Sequence, residues 1–555
     1  MKGLMTERPL RIADVLEFAA EVHPAAEIVS VRDEGDVHRE TYREAANRVA
    51  QLAHGLRRLG IKPGDRVATL AWNGYRHFEL YYAISGIGAV CHTINPRVPD
   101  DQLTYIVEHA GDSLIFADLS LVPILERLAP TLPAGLRYGV LTDAAHAPQS
   151  SLELIVYEEL LAAEEPLMDW PELPEDTASG LCYTSGTTGE PKGTLYTHRS
   201  TVLHALFVSV SLPKILRTGR RILPVVPLFH VNAWGLPYSA PLTGASLVMP
   251  GAKLDGPSLF EVMERESVFS AWGVPTVWLG LLAEIEAKGR LPKGLGSIVV
   301  GGSAAPLAMV EAFEKKGVDV CHAWGMTEMS PIGTVGEFSD HHAGLSGADR
   351  NLQKAKQGRR VFGVELKIVD DDGQKLPHDG KAVGALYARA NTVTSGYFRN
   401  EAANEAVFDG DGWFQTGDIA SIDPDGFLTI ADRLKDLIKS GGEWISSIDL
   451  ENVAMGHPEV ANCAVIAVAD AKWGERPLLV VVPGETQPSK TEIFALLAEH
   501  FAKWQLPDGI VFAENLPLTA TGKVSKRTLR KIYAQHVPTD DDKAALVGAM
   551  EARGE

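Results

Sequence analysis

Between Tyr183 and Gly193 the chain reads Tyr-Thr-Ser-Gly-Thr-Thr-Gly-Glu-Pro-Lys-Gly. Thr184, Ser185, Thr187 and Thr188 supply four hydroxyls, Gly186, Gly189 and Gly193 leave backbone N–H groups open to approach, and Lys192 adds an ammonium. That is the donor set a polyphosphate requires. The rival pattern for such a loop has glycine directly before its lysine and Ser or Thr directly after. Here Pro191 and Gly193 flank Lys192, so the kinase-type loop is excluded. A Gly/Ser/Thr surface turn is the bland alternative.

Further segments carry groups that such chemistry could use. They are Phe229-His-Val-Asn-Ala-Trp234, Gly301-Gly-Ser-Ala-Ala-Pro306, Ala323-Trp-Gly-Met-Thr-Glu328, Thr416-Gly-Asp418, the Asp432–Trp444 stretch and Thr521-Gly-Lys523. Together with the loop, and in this order, they resemble the adenylate-forming superfamily of acyl-CoA synthetases, firefly-type luciferases and nonribosomal adenylation domains. The resemblance runs over nearly the whole chain. The subgroup it looks most like is the bacterial medium- to long-chain fatty acyl-CoA synthetases with the related methylmercaptopropionyl-CoA ligases.

The resemblance implies a two-step reaction in which a carboxylate attacks the α-phosphorus of ATP and the thiol of coenzyme A then displaces AMP. A carboxylate is already ionised at neutral pH, so the first step needs alignment and charge neutralisation, not a general base. By position, Thr184, Ser185, Gly186, Thr187, Thr188, Gly189 and Lys192 match the phosphate-binding loop. Glu328 and Thr184 match the Mg²⁺ ligands; one carboxylate with phosphate oxygens and water suits that ion. Gly302, Ser303, Ala304, Trp324, Gly325 and Thr327 match the nucleotide wall, with Trp324 standing where the family commonly has a tyrosine against adenine. Asp418 and Arg433 match the residues that grip the ribose hydroxyls.

Other roles follow in the same way. His230, Asn232, Trp234 and Gly301 match the acyl site, His230 near the substrate carboxylate and Trp234 at the wall or mouth of the acyl tunnel. Read alone, a satisfied core histidine is the bland alternative for His230. Ser440, Gly441, Gly442, Glu443 and Trp444 match the coenzyme A face, where the two glycines leave room for pantetheine. Lys523 matches the lysine that bridges the carboxylate and the α-phosphate in the first step. It occupies the face through which the thiol must arrive, so the family rotates its small domain about a hinge, here Lys435.

The elements that must hold these groups show in the periodicity. Thr41 and Glu44 form a capping box for a helix carrying Ala45, Val49, Leu52, Leu56 and Leu59 on one face. Short apolar strands are expected at 66–70, 89–93, 113–117, 137–141, 181–183, 222–226, 245–249, 270–273 and 297–300, so the fold class is α/β with largely parallel strands. The phosphate loop would join a strand to a helix through Val202 and Leu206. Residues 337–360 read as an irregular surface excursion. Asp-Gly turns at 372–373 and 425–426 predict hairpins, hence a modest antiparallel subdomain, barrel-like or a sheet. The boundaries read as a large ATP- and acyl-binding domain at 1–432, a hinge at 433–436, a small α+β domain at 437–538 with a Ser489/Glu492 capping box, and a peripheral acidic tail at 539–555.

With 555 residues and 45% hydrophobic content, the chain is a soluble-type globular protein of several structural units. Its formal charge of -20 argues against nucleic acid and anionic membrane surfaces as partners. Four scattered cysteines predict buried thiols in a reducing, cytoplasmic setting, not a disulfide frame. No signal peptide is read at the start, and prolines break the uncharged 222–252 stretch too often for a membrane helix. The expected partners are therefore a small carboxylic acid, ATP with Mg²⁺, and coenzyme A, with a homodimer left open. A short thioether acid or aryl acid as substrate, transfer to a carrier protein or oxygen, and a catalytically inactive nucleotide-binding protein are the competing readings.

Overall fold

The computed structural model describes residues 1–552 except 2, 185–189, 339–341, 343, 442 and 520–521. Two large sheets form the N-terminal body. The first runs, in spatial order, Leu154–Val156, Arg137–Val140, Asp112–Ala117, Arg66–Leu70, Val90–Thr93, Ala178–Tyr183 and Gly193–Thr197. It is parallel except for the last pair, where Tyr183 faces Gly193. The second runs Arg359–Arg360, Ile332–Val335, Asp319–Gly325, Ser297–Val300, Ser270–Gly273, Arg221–Pro224, Ser246–Met249, Glu27–Val31 and Val37–Thr41. Helices pack between and around the sheets, and one apolar cluster extends across both through Leu52, Phe78, Tyr82, Leu236 and Trp272.

The capping boxes at Thr41/Glu44 and Ser489/Glu492 are both formed. The first starts the Tyr42–Arg58 helix, which buries Ala45, Val49, Leu52 and Leu56 as its periodicity requires. One expected connection differs. The strands on either side of the phosphate-loop segment, Ala178–Tyr183 and Gly193–Thr197, pair antiparallel, so a strand stands between that segment and the His198–Ser211 helix. That short strand holds only five residues, too few for alternation to separate it from the helix that follows.

Residues 337–360 are more regular than expected. A helix at Gly347–Ala355 presents Lys354, which pairs with Glu314 at 2.7 Å and with Asp319. Beyond it the expected antiparallel subdomain takes the form of an open four-stranded sheet of Glu365–Val369, Gly384–Arg389, Phe414–Ile422 and Leu428–Arg433; no closed barrel forms among the described residues. The Asp425-Gly426 turn makes its hairpin, pairing Ile422 with Leu428. The Asp372-Gly373 turn supports only an isolated Val369–Lys375 bridge, because Glu365–Val369 takes its main partner from Gly384–Arg389.

A separate small lobe follows. Its sheet runs Glu443–Ile445, Ile438–Ser440, Gly474–Pro483 and Val460–Asp470, with Gly509–Phe512 beside Gly474–Pro483. The acidic tail is not peripheral. Asp540–Ala552 is a helix whose Ala545, Ala549 and Met550 are buried against Ile493, Phe494 and Leu497. Ala545 and Ala549 make a four-residue repeat that the acidic start conceals in composition. Among the described residues no helix is long and apolar enough to cross a membrane. All four cysteines are free and buried.

Candidate active site

Thr184 and Lys192 at the base of the hairpin, the C-terminal ends of the parallel strands and one loop of the small lobe converge. Thr184 N–H donates to the Lys192 carbonyl at 2.8 Å and closes the base of the loop. Ser185, Gly186, Thr187, Thr188 and Gly189, and also Gly442, lie outside the described residues. Lys192 Nζ sits 4.9 Å from the centre of the Tyr397 ring. The Tyr397 hydroxyl donates to Glu328 Oε1 at 2.7 Å. Glu328 is only 6% exposed. Burial pushes its carboxyl up, while the Tyr397 hydrogen bond and the Arg433 and Lys192 charges pull it back.

A second cluster lies beside it. Trp324, at the end of the Asp319–Gly325 strand, donates its indole N–H to Asp418 Oδ2 at 2.8 Å, and Arg433 Nε contacts Asp418 Oδ1 at 2.7 Å. Asp418 faces Arg433 in the strand register, so the sheet itself sets this pair. The indole lies against Gly333: a Cβ there would stand 2.5 Å from Trp324 Cζ3. The tryptophan N–H is thus committed to Asp418, the carboxylate expected at the ribose, which couples two groups that sequence matching treats separately. Gly325 is required by close approach, since a Cβ would meet the Pro331 carbonyl at 2.1 Å. The Thr327 carbonyl accepts from the Tyr196 hydroxyl at 2.8 Å.

The acyl-site candidates occupy a left-handed turn. Val231, Asn232, Ala233 and Trp234 have φ of 50°, 52°, 46° and 55°, and Gly235 continues at 77°. Each non-glycine residue there costs about 1–2 kcal/mol, so the surroundings must hold the turn. Within it Ala233 N–H donates to the Pro227 carbonyl at 3.2 Å, and Asn73, which sequence reasoning passed over, fixes the segment that leads into the turn. Its amide donates to the Pro224 and Val226 carbonyls at 2.7 and 3.0 Å and accepts from Leu228 N–H at 2.6 Å. Cys182 Sγ lies 3.4 Å from Asn232 Oδ1. Trp234 packs on Gly301, where a Cβ would stand 2.9 Å from Cη2. Desolvation, followed by the Lys523 charge, pushes the His230 imidazole down to about 3. His230 is therefore a neutral hydrogen-bonding group at ordinary pH, not a cation.

Lys523 reaches this region from the small lobe. It lies against Gly302, which Val274 also approaches, and Thr276 Oγ1 donates to the Gly522 carbonyl at 3.0 Å. Desolvation lowers the Lys523 ammonium to about 8, with the Arg433 charge next in weight. Ser303 contributes its carbonyl near His322 Nε2 at 3.4 Å, and Ala304 follows it in the same loop. The coenzyme A candidates are elsewhere. Ser440 and Glu443 pair across a hairpin, and their described partners lie in the small lobe: Ser440 with Arg476 at 3.0 Å, Gly441 N–H with the Trp473 carbonyl at 2.8 Å, Trp444 with Lys439. Lys435 precedes Asp436, which pairs with Arg530.

The architecture has known counterparts. The model of the AMP-binding enzyme family matches residues 16–398, and that of the AMP-binding enzyme C-terminal domain matches 449–523. The chain belongs to the AMP-binding enzyme family. A medium-chain-fatty-acid–CoA ligase of Ectopseudomonas oleovorans is 46% identical over 538 residues, covering 96% of this chain and 98% of that protein. A 3-methylmercaptopropionyl-CoA ligase of Ruegeria pomeroyi is 47% identical over 537 residues, covering 96% and 99%. Among solved structures, an anthranilate CoA ligase in complex with anthranoyl-AMP superposes with a TM-score of 0.85 at 25% identity, covering 96% of this chain and 99% of that one. The mixed α/β fold with a smaller C-terminal lobe is the one this family uses.

Proposed function

We propose that the protein is an AMP-forming acyl-CoA synthetase acting on a medium- or long-chain fatty acid. The observation that carries this reading is the delivery of Lys523, from the small lobe, to the Gly302 edge of the cluster that holds Asp418 and Arg433. In the first step a fatty carboxylate oxygen bonds to the α-phosphorus of ATP and pyrophosphate leaves. Lys523 stabilises the charge that builds between carboxylate and phosphate, which is where fixed charge lowers a barrier most. Neutral His230 orients the carboxylate by a hydrogen bond. Asp418 takes the ribose hydroxyls, steadied by Trp324 and Arg433, and Lys192 with Thr184 receives the distal phosphates.

A buried, desolvated carboxylate beside a lysine-bearing phosphate loop fits a divalent cation, so Glu328 and Thr184 would hold Mg²⁺. When bound, that ion would neutralise phosphate charge. In the second step the coenzyme A sulfur attacks the acyl carbon, loses its proton and expels AMP. Lys523 occupies the site of the first step, and Ser440–Trp444 belong to the same lobe. We therefore read residues 433–436 as a hinge, with Lys435 absorbing the turn that exchanges them. Buried thiols suit a cytoplasmic enzyme.

The decisive experiment measures AMP release with acids from propionate to palmitate, with and without coenzyme A. Acid-dependent AMP release that becomes multiple-turnover only with coenzyme A is expected, with an optimum at eight or more carbons, about the medium-chain range. An optimum at the short thioether acid would move the chain to the second relative's substrate class. ATP turnover without acid dependence would end the reading.

A further inference from the structure

Three residues after Lys523 stands a second lysine whose surroundings the proposed chemistry does not use. Lys526 Nζ donates to Ser447 Oγ at 2.5 Å and pairs with Glu451 Oε1 at 2.7 Å. Ser447 in turn donates both its N–H and its hydroxyl to Asp432 Oδ2, at 2.7 and 2.6 Å. The neighbouring Ser446 hydroxyl donates to the Ala431 carbonyl at 2.6 Å. Asp432 and Ser447 are 1% and 0% exposed, so the contact between the two is dry, while the Lys526 and Glu451 end is partly exposed. Glu451 Oε1 also accepts from Val465 N–H at 2.7 Å, which ties it to the small-lobe sheet.

The two ends of the chain belong to different bodies. Asp432 is paired with Ile419 in the open four-stranded sheet, so it is fixed to the large lobe. Ser447 and Glu451 lie on the Ser447–Ala454 helix, and Lys526 begins the Lys526–Ile532 helix; both helices pack on the Val460–Asp470 strand. Lys435 lies between the two sides. Any turn of the small lobe about Lys435 must take Ser446, Ser447 and Lys526 away from Ala431 and Asp432.

We infer that Asp432 and Lys526, joined through Ser447, are positioning residues that latch the small lobe in the orientation that presents Lys523, and that the latch opens for the thioester step. This rests on the proposed reaction and hinge. Neither residue touches substrate; Lys526 acts through Lys523, one short loop away. The contact is suited to being broken and remade. Once turned out, the Asp432 carboxylate and the Lys526 ammonium can both be rehydrated, which offsets part of what the dry contact supplied. A two-state element biased in this way favours one half-reaction at the expense of the other.

The test separates the half-reactions in the full chain, using decanoate. Pyrophosphate release without coenzyme A reads the first, and conversion of supplied decanoyl-adenylate with coenzyme A reads the second. Asp432→Ala and Lys526→Met should each slow the first by about tenfold while leaving the second equal or faster, because a lost latch shifts the lobe balance one way. Lys526→Arg should restore the wild-type ratio of the two rates. Ser447→Ala, which removes the bridging hydroxyl and leaves the helix backbone intact, should show the same split in a milder form and serves if Asp432→Ala does not fold. Equal slowing of both half-reactions, or no change in either, overturns the latch. Wild-type protein that makes no adenylate from any acid overturns the proposed function instead, so the two failures are distinct.

Discussion

Lys523 crosses from the small lobe to lie over Gly302: a Cβ on that glycine would stand 3.1 Å from Lys523 Cε and 3.6 Å from Nζ. Gly302 also has φ of 84°, and Val274 Cγ1 closes on the same position at 3.1 Å. Gly302→Ala therefore strains the backbone by about 1–2 kcal/mol and takes the space the lysine stem fills. Adenylate formation, followed as pyrophosphate release, should fall by tenfold or more, on the order expected for a reacting charge displaced by part of an ångström. Conversion of supplied acyl-adenylate should fall less. Equal losses would mean that Gly302 serves the nucleotide in both steps and not the lysine.

The pH profile follows from the same residue. Lys523 works as an ammonium, and its surroundings lower it to about 8. Below that value it is charged and active; as pH rises through it, the proton is lost and the first half-reaction should decline. kcat/KM reports the free enzyme, so the fall should appear there. Lys523→Arg, which stays protonated, should lose the alkaline limb while being slower throughout. An unchanged limb in that variant would assign it to another group. For stability the sign is opposite. Between about 8 and the ordinary 10.5 the unfolded chain binds more protons than the folded one, so this lysine makes stability rise with pH across that window.

Glu328→Gln keeps the hydrogen bond from Tyr397 and removes the buried charge. The magnesium concentration needed for half-maximal adenylation should rise by about tenfold or more, with the ligand-free melting point unchanged or higher, because a desolvated carboxylate no longer has to be accommodated. Magnesium titration and melting curves with ATP decide it. A wild-type magnesium requirement in the variant would remove Glu328 from the metal site.

The groups that are legible in the sequence are those whose chemistry is compressed into short motifs, such as Thr416-Gly-Asp418 and Thr521-Gly-Lys523. The strands are legible because their apolar runs are bounded by Gly and Pro, as at Ser270–Gly273 and Ser297–Val300. What stays hidden depends on long-range closure. Asn73 lies 151 residues from Pro224, and no local pattern marks it as the clamp of the segment that leads into the acyl-site turn. Tyr397 is similar: its only local signal is an aromatic pair after Ser395-Gly396, yet it joins Lys192 to Glu328. The latch through Asp432, Ser447 and Lys526 draws on three segments, two of which read as ordinary helix starts. Conversely, the left-handed turn at Val231–Trp234 contradicts the propensity of its residues, as strained functional turns do.

Trp234 tests the substrate class. It ends that left-handed turn, is partly exposed, and packs against Gly301, which also lies 3.2 Å, from the position of a Cβ, to the Ala323 carbonyl. If the acyl chain passes here, Trp234→Ala opens the passage, and the ranking of acids by length should change while KM for ATP barely moves. Each methylene gained or lost from apolar burial is worth about 0.8 kcal/mol, several-fold in kcat/KM per carbon. Alanine keeps the Cβ that makes a φ of 55° costly, so the strain of the turn is unchanged, and because the indole is partly exposed the variant should not be grossly unstable. If the indole were only core, truncation would lower stability by about 3–5 kcal/mol and depress all acids alike. If the natural substrate is a short acid, the wild type should handle hexanoate and longer acids poorly and the alanine variant should improve them. Profiles of kcat/KM from propionate to palmitate for both proteins, with melting curves alongside, separate these cases. A folded variant with the wild-type chain-length profile would place the acyl passage elsewhere.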